Sequence, residues 1–180
     1  MAELKARPAD RYNGSPMIPT GNPMVDGIGP AAWADRSDTP DMTVRGKPKI
    51  VPMGKVAGYS IAQGDPDPRG LPVKTADGAV AGTIEDVWVD QSEPQVRYYQ
   101  IKLASGTGSR LLPIGFAAWP NLGLFGLDHV RVKALTAALF DGIPTTKSDA
   151  QITLLEEDKI MAYYAGGHLY ATPDRSQPLL

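Results

Sequence analysis

Short apolar–polar alternations separated by turn residues fill the middle of this chain. Between residues 96 and 103, Tyr99, Ile101 and Leu103 occupy every second position, which is the period of a half-buried β-strand. The dipeptide Asp77-Gly78 precedes another such segment and favours a tight hairpin turn. Turn signals recur about every ten residues, a spacing typical of a small barrel or a sandwich. We therefore predict a mainly β domain over residues 51–145.

Residues 1–50 predict an extended, irregular arm. Proline fixes φ and lacks a backbone N–H, so its repeated use excludes a long helix here. The arm also contains apolar side chains such as Met24, Ile28 and Trp33, which a solvated tail would not need. Since burial of apolar surface is worth roughly 25 cal/mol per Å², these side chains predict a contact. The contact is either another protein's surface or the chain's own domain, and the sequence favours neither.

One helix is expected near the C-terminus, in a segment at 146–180 that packs with its tail on the β domain. Thr153 and Glu156 have the spacing of a capping box, in which two side chains satisfy backbone N–H groups at the helix start. Gly166-Gly167 predicts the end of this helix, because glycine readily adopts the left-handed conformation that terminates helices.

The composition argues against an enzyme and against a nucleic-acid partner. The 18 basic and 20 acidic residues give a net charge of −2, whereas nucleic-acid binding needs a concentrated basic surface. The chain has no cysteine and only two histidines, so an ordinary thiolate or histidine metal site is not expected. No phosphate loop, dinucleotide fingerprint or nucleophile elbow occurs. No apolar run approaches the ~20 residues of a membrane span.

A group of charged side chains around one predicted turn is the best candidate for chemistry. Asp86 and Asp90 lie at even spacing on a predicted strand and therefore share a face, while Glu85 points to the other face. Glu93 follows in the loop, and Arg97 begins the next strand. Clustered carboxylates raise each other's pKa and a nearby arginine lowers it, so such a set can exchange protons near neutral pH. Solvated loop acids are the alternative, and the residues alone favour that alternative.

Several segments, in order, resemble the H subunit of the purple-bacterial photosynthetic reaction centre. The most specific are TGNPMVDGIGPAAW at 20–33 and ITLLEEDKI at 152–160. Each segment alone is only suggestive, whereas the ordered set, which spans about residues 16 to 175, is specific. The other matching segments lie at 49–53, 65–73, 86–90, 110–113, 143–144, 164–167 and 170–171.

The resemblance implies a PRC-barrel-like small β-barrel that follows an irregular N-terminal arm and precedes a short C-terminal helix. It also implies a non-catalytic subunit at the cytoplasmic face of the photosynthetic membrane. Such a subunit caps the L and M subunits and supports electron transfer between quinones and proton uptake to the secondary quinone. The complex would carry bacteriochlorophyll, bacteriopheophytin, quinones and iron, none of them bound by this chain. The alternative is a free-standing PRC-barrel adaptor that binds RNA or ribosomal proteins, which the net charge and the H-like arm disfavour.

The resemblance transfers roles to single residues. In the family, the aspartate of the Trp-Val-Asp strand and a glutamate soon after it belong to the proton route, with an arginine nearby. These positions match Asp90, Glu93 and Arg97, and we add Asp86 from the same strand. Some family members take up surface protons through histidines in the stretch that corresponds to residues 43–47. This chain has none there, so we expect Asp38 or Asp41 to collect protons if they enter at this surface.

Two further expectations concern partners. Trp33 is a candidate partner contact. The apolar stretch at 119–126, which contains Trp119, Leu124 and Phe125, is a candidate contact with lipid or light-harvesting antenna subunits. A hairpin tip folded back on its own domain is an equal alternative for that stretch. The family's H subunit begins with a transmembrane helix that this sequence lacks. Either the helix has been removed from a longer chain, or the cytoplasmic part is a separate polypeptide. The polar, Met-initiated start favours the second alternative, and we therefore expect a separate membrane-anchoring partner chain.

Overall fold

The computed structural model describes residues 4–120 and 128–176. Within these ranges the arm forms a small hairpin and one short helix, and the following strands form a single curved sheet. A long helix lies near the C-terminus. The strands are β1 Ala6–Pro8, β2 Met17–Pro19, β3 Ile50–Pro52, β4 Pro72–Lys74, β5 Val80–Asp90, β6 Gln95–Leu103, β7 Ser109–Pro113, β8 Ala117–Ala118 and β9 Val130–Val132, and the helices are α1 Pro23–Asp26 and α2 Leu154–Tyr170.

The main sheet has the strand order β7-β6-β5-β4-β9-β8, with β3 paired to the end of β5. All pairs are antiparallel except β4 with β9. Across the described residues, β7 and β8 are the two edges, so the sheet is curled but not closed. The prediction of a mainly β, barrel-like fold with an irregular arm and a C-terminal helix is confirmed.

Two bulges bend the central pair of strands. Ile84 pairs with Ile101 but Asp86 pairs with Gln100, which leaves an extra residue on β5. Trp88 pairs with Tyr98 but Val89 pairs with Val96, which leaves Arg97 as an extra residue on β6. A bulge increases the local twist and interrupts the strict alternation of side chains between the two faces. Because of this bend, the β5–β6 hairpin contributes side chains both to the core of the sheet and to the contact with α2.

Helix α2 covers one face of the sheet. Ile160 and Tyr164 are fully buried, and the Tyr164 ring contacts Phe116 and Phe140 at centroid distances of 5.4 and 6.3 Å. The predicted capping box is confirmed, since Thr153 Oγ1 accepts from the Glu156 N–H at 3.1 Å and Glu156 Oε2 accepts from the Thr153 N–H at 2.9 Å. These bonds fix the first turn of α2 beside the ends of β5 and β6.

The predicted stop of the helix at Gly166-Gly167 is wrong. Helix α2 continues to Tyr170, and both glycines are buried within it. A Cβ at Gly166 would lie 2.6 Å from the Ala31 Cβ, and one at Gly167 would lie 2.6 Å from the Ala134 carbonyl oxygen. The glycines therefore permit close packing of the helix on its neighbours and do not end it.

The arm is partly folded onto the domain. Met24, Ile28 and Ala31 are buried, with Met24 and Ala31 close to Gly166 of α2. Val25 on the same helical turn is 68% exposed, and Trp33 is 40% exposed. One face of the arm therefore packs on the chain's own domain, as one of the two alternatives predicted, and the other face is exposed.

Candidate functional site

A charged cleft of about 310 Å³ opens where the arm, the β5–β6 hairpin and the first turns of α2 meet. Its walls carry three basic and four acidic side chains, together with one tyrosine and three aliphatic residues. We call it the charged cleft. It is lined by Arg36, Asp41, Lys49, Ile50, Asp90, Arg97, Tyr98, Leu154, Glu157, Asp158 and Met161.

The loop at 41–49 supplies one wall of the charged cleft. The Lys49 N–H donates to the Asp41 carbonyl oxygen at 2.8 Å, so the two residues stand side by side at the base of this loop. Lys49 Nζ lies 3.5 Å from Asp41 Oδ2 and 3.7 Å from Asp90 Oδ2. The ammonium group thus bridges a carboxylate of the arm and a carboxylate of the sheet.

Asp90 ends β5 and is only 1% exposed. Its Oδ1 accepts from the backbone N–H groups of Ser92 at 2.8 Å and Glu93 at 3.2 Å. These bonds, with the Lys49 ammonium, satisfy a carboxylate that would be costly to bury without partners. Asp90 therefore organises the β5–β6 turn as well as lining the charged cleft.

Glu157 is a site residue that the sequence did not single out. The Tyr98 hydroxyl donates to Glu157 Oε2 at 2.9 Å, and Tyr98 itself is 3% exposed. Burial raises the pKa of Glu157, while the Tyr98 hydrogen bond and the charge of Arg97 lower it and the Asp41 charge raises it. A weak signal was available, since the capping box uses the Glu156 side chain and leaves the Glu157 carboxyl group out of the cap hydrogen bonds.

The structure brings three of the six predicted proton-transfer residues together. Asp90, Arg97 and Asp41 line the charged cleft. Asp86 does not line it, because its Oδ2 accepts from the Gly54 N–H at 3.2 Å and its Oδ1 from the Val87 N–H at 2.8 Å. Even spacing along β5 predicts that Asp86 and Asp90 share a face. The two residues lie four positions apart, so Asp86 contacts Gly54 whereas Asp90 lines the charged cleft.

Glu93 and Asp38 also lie outside the cleft walls. Glu93 is exposed in the turn, and its Oε2 is 3.4 Å from Gln95 Nε2. Asp38 is held by Lys147 and accepts from Thr153 Oγ1 at 3.0 Å, and these hydrogen bonds lower the pKa of Asp38. The lowered pKa makes Asp38 a poorer proton acceptor than an ordinary aspartate. The proton-transfer role of each residue stays a prediction.

The predicted contact residues differ in exposure. Trp33 is on the surface, with Lys159 Nζ 5.7 Å from its ring centroid. Trp119 is half-buried, packs edge-on against Tyr99 at 6.0 Å, and lines a separate apolar pocket of about 630 Å³. Leu124 and Phe125 lie outside the described residues. Contact of these side chains with partners stays a prediction.

Neither a metal-binding cluster nor a membrane-spanning helix is found among the described residues. Residues 4–120 and 128–176 contain no group of three or more His, Cys, Asp or Glu side chains arranged to hold a metal ion. In the same part of the chain, no helix has both the length and the apolar character needed to cross a bilayer. The expected anchor chain stays a prediction.

Known protein families match two parts of the chain. Residues 1–55 match the family model of the photosynthetic reaction centre H-chain N-terminal region. Residues 60–134 match the model of the PRC-barrel domain. The first match covers the arm and β3, and the second covers strands β4 to β9 of the curved sheet. The two matches follow one another in the order that the sequence resemblance implied.

Proposed function

The chain belongs to the family of photosynthetic reaction centre H subunits, and on this premise we propose that it caps the cytoplasmic face of the L and M subunits. Membership implies association with L and M in a complex that carries pigments and quinones, and both matched families are structural and non-enzymatic. We further propose that this chain supports electron transfer between the quinones and delivers protons toward the secondary quinone.

The charged cleft is the observation that carries the proton-transfer proposal. It gathers Asp41, Asp90, Arg97 and Glu157 from four separate parts of the chain. Carboxyl groups and water molecules can pass protons along hydrogen bonds, and ionised carboxylates also set the electrostatic potential at a distance. Positive charge offsets part of the repulsion among these acids: Arg97 lowers the pKa of Glu157 that the Asp41 charge raises, and Lys49 lies beside Asp41 and Asp90.

Glu93 lies next to the charged cleft but outside its walls. Its backbone N–H is bonded to Asp90, while its carboxyl group is exposed to solvent. We propose that Glu93 exchanges protons between solvent or a partner subunit and the acids of the charged cleft. Trp33 and Trp119 would serve as contacts with neighbouring subunits, including light-harvesting antenna subunits.

The test uses reaction centres reassembled from L–M complexes stripped of their H subunit and the full chain. We expect the chain to co-purify with near-infrared bacteriochlorophyll absorption and to restore flash-induced proton uptake. Glu93→Gln should slow uptake of the proton that accompanies the second electron by about tenfold, or about 1.4 kcal/mol in the barrier.

Asp174→Asn is the matched control, because Asp174 is an exposed acid that lines neither the charged cleft nor the apolar pocket of Trp119. Its proton uptake should equal that of the unmodified chain. A colourless preparation in which the chain binds RNA or ribosomal proteins would contradict the capping role. Unchanged uptake in the Glu93 variant would contradict the proposed role of that residue.

A further inference from the structure

The acids of the charged cleft differ in their hydrogen-bond and salt-bridge partners: Asp90 and Asp158 accept backbone N–H bonds, whereas Glu157 accepts a tyrosine hydroxyl. We propose that Tyr98 positions Glu157 as the proton-exchanging carboxyl group of the cleft. The effect on quinone chemistry rests on the proposed function above. The protonation of the Tyr98–Glu157 pair is a property of this chain alone and can be measured separately.

Tyr98 reaches the cleft because of the bulge in β6. In a regular strand Arg97 and Tyr98 would point to opposite faces. Arg97 is the extra residue between the pairs Trp88–Tyr98 and Val89–Val96, and both Arg97 and Tyr98 line the cleft. The bulge therefore presents a guanidinium group and a buried hydroxyl to the same carboxyl group.

Glu157 is held by fewer donors than its neighbours. Within the described residues its carboxyl group accepts one hydrogen bond, from the Tyr98 hydroxyl at 2.9 Å, and forms no salt bridge. By contrast, Asp90 accepts two backbone N–H bonds and faces Lys49. Asp158 accepts from the Ala34 N–H at 2.6 Å and lies 3.9 Å from Arg36.

The surroundings of Glu157 act on its pKa in opposite directions. Burial disfavours the carboxylate and raises the pKa, and the Tyr98 hydrogen bond is the largest influence in the opposite direction. The charges of Arg97 and Arg36 also lower the pKa, and that of Asp41 raises it. A change in a nearby charge therefore shifts the pKa of Glu157. The charged groups around Glu157 are Arg97 on β6, Asp90 on β5, Asp41 and Lys49 at the base of the 41–49 loop, Arg36 in the arm, and Asp158 on α2.

The test is a carboxyl-carbon NMR titration of the full chain and its Tyr98→Phe variant. Phenylalanine keeps the buried ring and removes only the hydroxyl donor. Loss of a donor that favours the carboxylate should move the titration midpoint of Glu157 upward. Tyr99→Phe is the matched control, since Tyr99 is the adjacent buried tyrosine and lines the apolar pocket instead of the charged cleft. It should leave the Glu157 midpoint unchanged.

The same variants are then placed in reassembled reaction centres. We expect Tyr98→Phe to shift the pH profile of proton uptake upward and Glu157→Gln to remove that part of the profile. An unmoved Glu157 midpoint in the Tyr98 variant, or an equal shift in the Tyr99 control, would overturn the positioning role. The Glu157 midpoint could move in the isolated chain while the pH profile of proton uptake in reaction centres stays constant. That result would support the positioning of Glu157 by Tyr98 and contradict the proposed delivery of protons to the quinone.

Discussion

At the scale of single residues, the same kind of side chain has two different uses in the charged cleft. Asp90 binds the β5–β6 turn through two backbone N–H groups, whereas Glu157 is bound by one hydroxyl. A buried carboxylate with several donors is held in place, and its removal leaves those donors without partners. Asp90 is therefore first a structural residue, even though the resemblance assigns its position to the proton route.

This distinction predicts the effect of replacing Asp90. Asp90→Ala removes the acceptor of two N–H groups and should lower the free energy of unfolding by about 1–3 kcal/mol, as measured by urea denaturation. Asp90→Asn keeps an acceptor oxygen and loses only the charge that faces Lys49, so it should cost less. Equal losses in the two variants would show that the turn hydrogen bonds are not the source of the stability.

At the scale of secondary-structure elements, α2 is the surface on which the arm and the sheet meet. The first turn of α2 is hydrogen-bonded to the arm. The N–H groups of Leu154 and Leu155 donate to the carbonyl oxygens of Thr39 and Ser37, each at 3.1 Å. Its last turns approach both the arm and the segment after β9 closely, and the two glycines make that approach possible. The helix thus joins parts of the chain that are far apart in sequence.

Replacing Gly167 with alanine should change the stability of the protein through two opposing contributions. Gly167→Ala should gain about 1 kcal/mol from helix propensity. The added Cβ would also meet the Leu135 side chain and the Ala134 carbonyl oxygen, and overpacking against backbone costs about 1–3 kcal/mol. We expect a net loss of stability in urea unfolding. Met161→Ala, at an exposed position on the same helix, is the control and should change stability much less. A more stable Gly167 variant would contradict the close packing.

At the scale of the whole molecule, stability should depend on pH in two opposite ways. Hydrogen bonds from Lys147 and Arg69 lower the pKa of Asp38 and Asp67, so their stabilising contributions are lost as the pH falls below the ordinary value of 3.8. Glu157 has a raised pKa, so its contribution has the opposite sign. Its carboxylate disfavours the folded state above its folded pKa, and this penalty disappears as the pH falls to about 4.5.

We therefore expect Tm to rise slightly as the pH falls from neutral toward 4.5 and to drop below pH 3.8. Calorimetry across this range would measure both effects. In Glu157→Gln the rise should vanish while the drop remains, because the exposed aspartates are unchanged. A profile that keeps its rise in the Glu157 variant would assign the effect to another group.

The sequence by itself determined the local features of this protein. The alternation in β6 and the Thr153–Glu156 capping box depend on neighbours within a few residues, so both were predicted from the order of residue types. The ordered H-like segments likewise identified the family before any contact was known. These properties are local, or are recorded in the sequence as a pattern, and need no knowledge of packing.

Only the tertiary structure decided which charges meet. The bulge that turns Arg97 toward the cleft depends on strand register, and Asp41 joins Asp90 only because Lys49 lies between them. Glu157 belongs to the site because α2 packs over Tyr98. Gly166 and Gly167 look like a helix stop in the sequence, but helix packing makes them positions of close contact. Register, burial and distance between remote residues arise when the elements pack together, and the order of residues along the chain does not contain them directly.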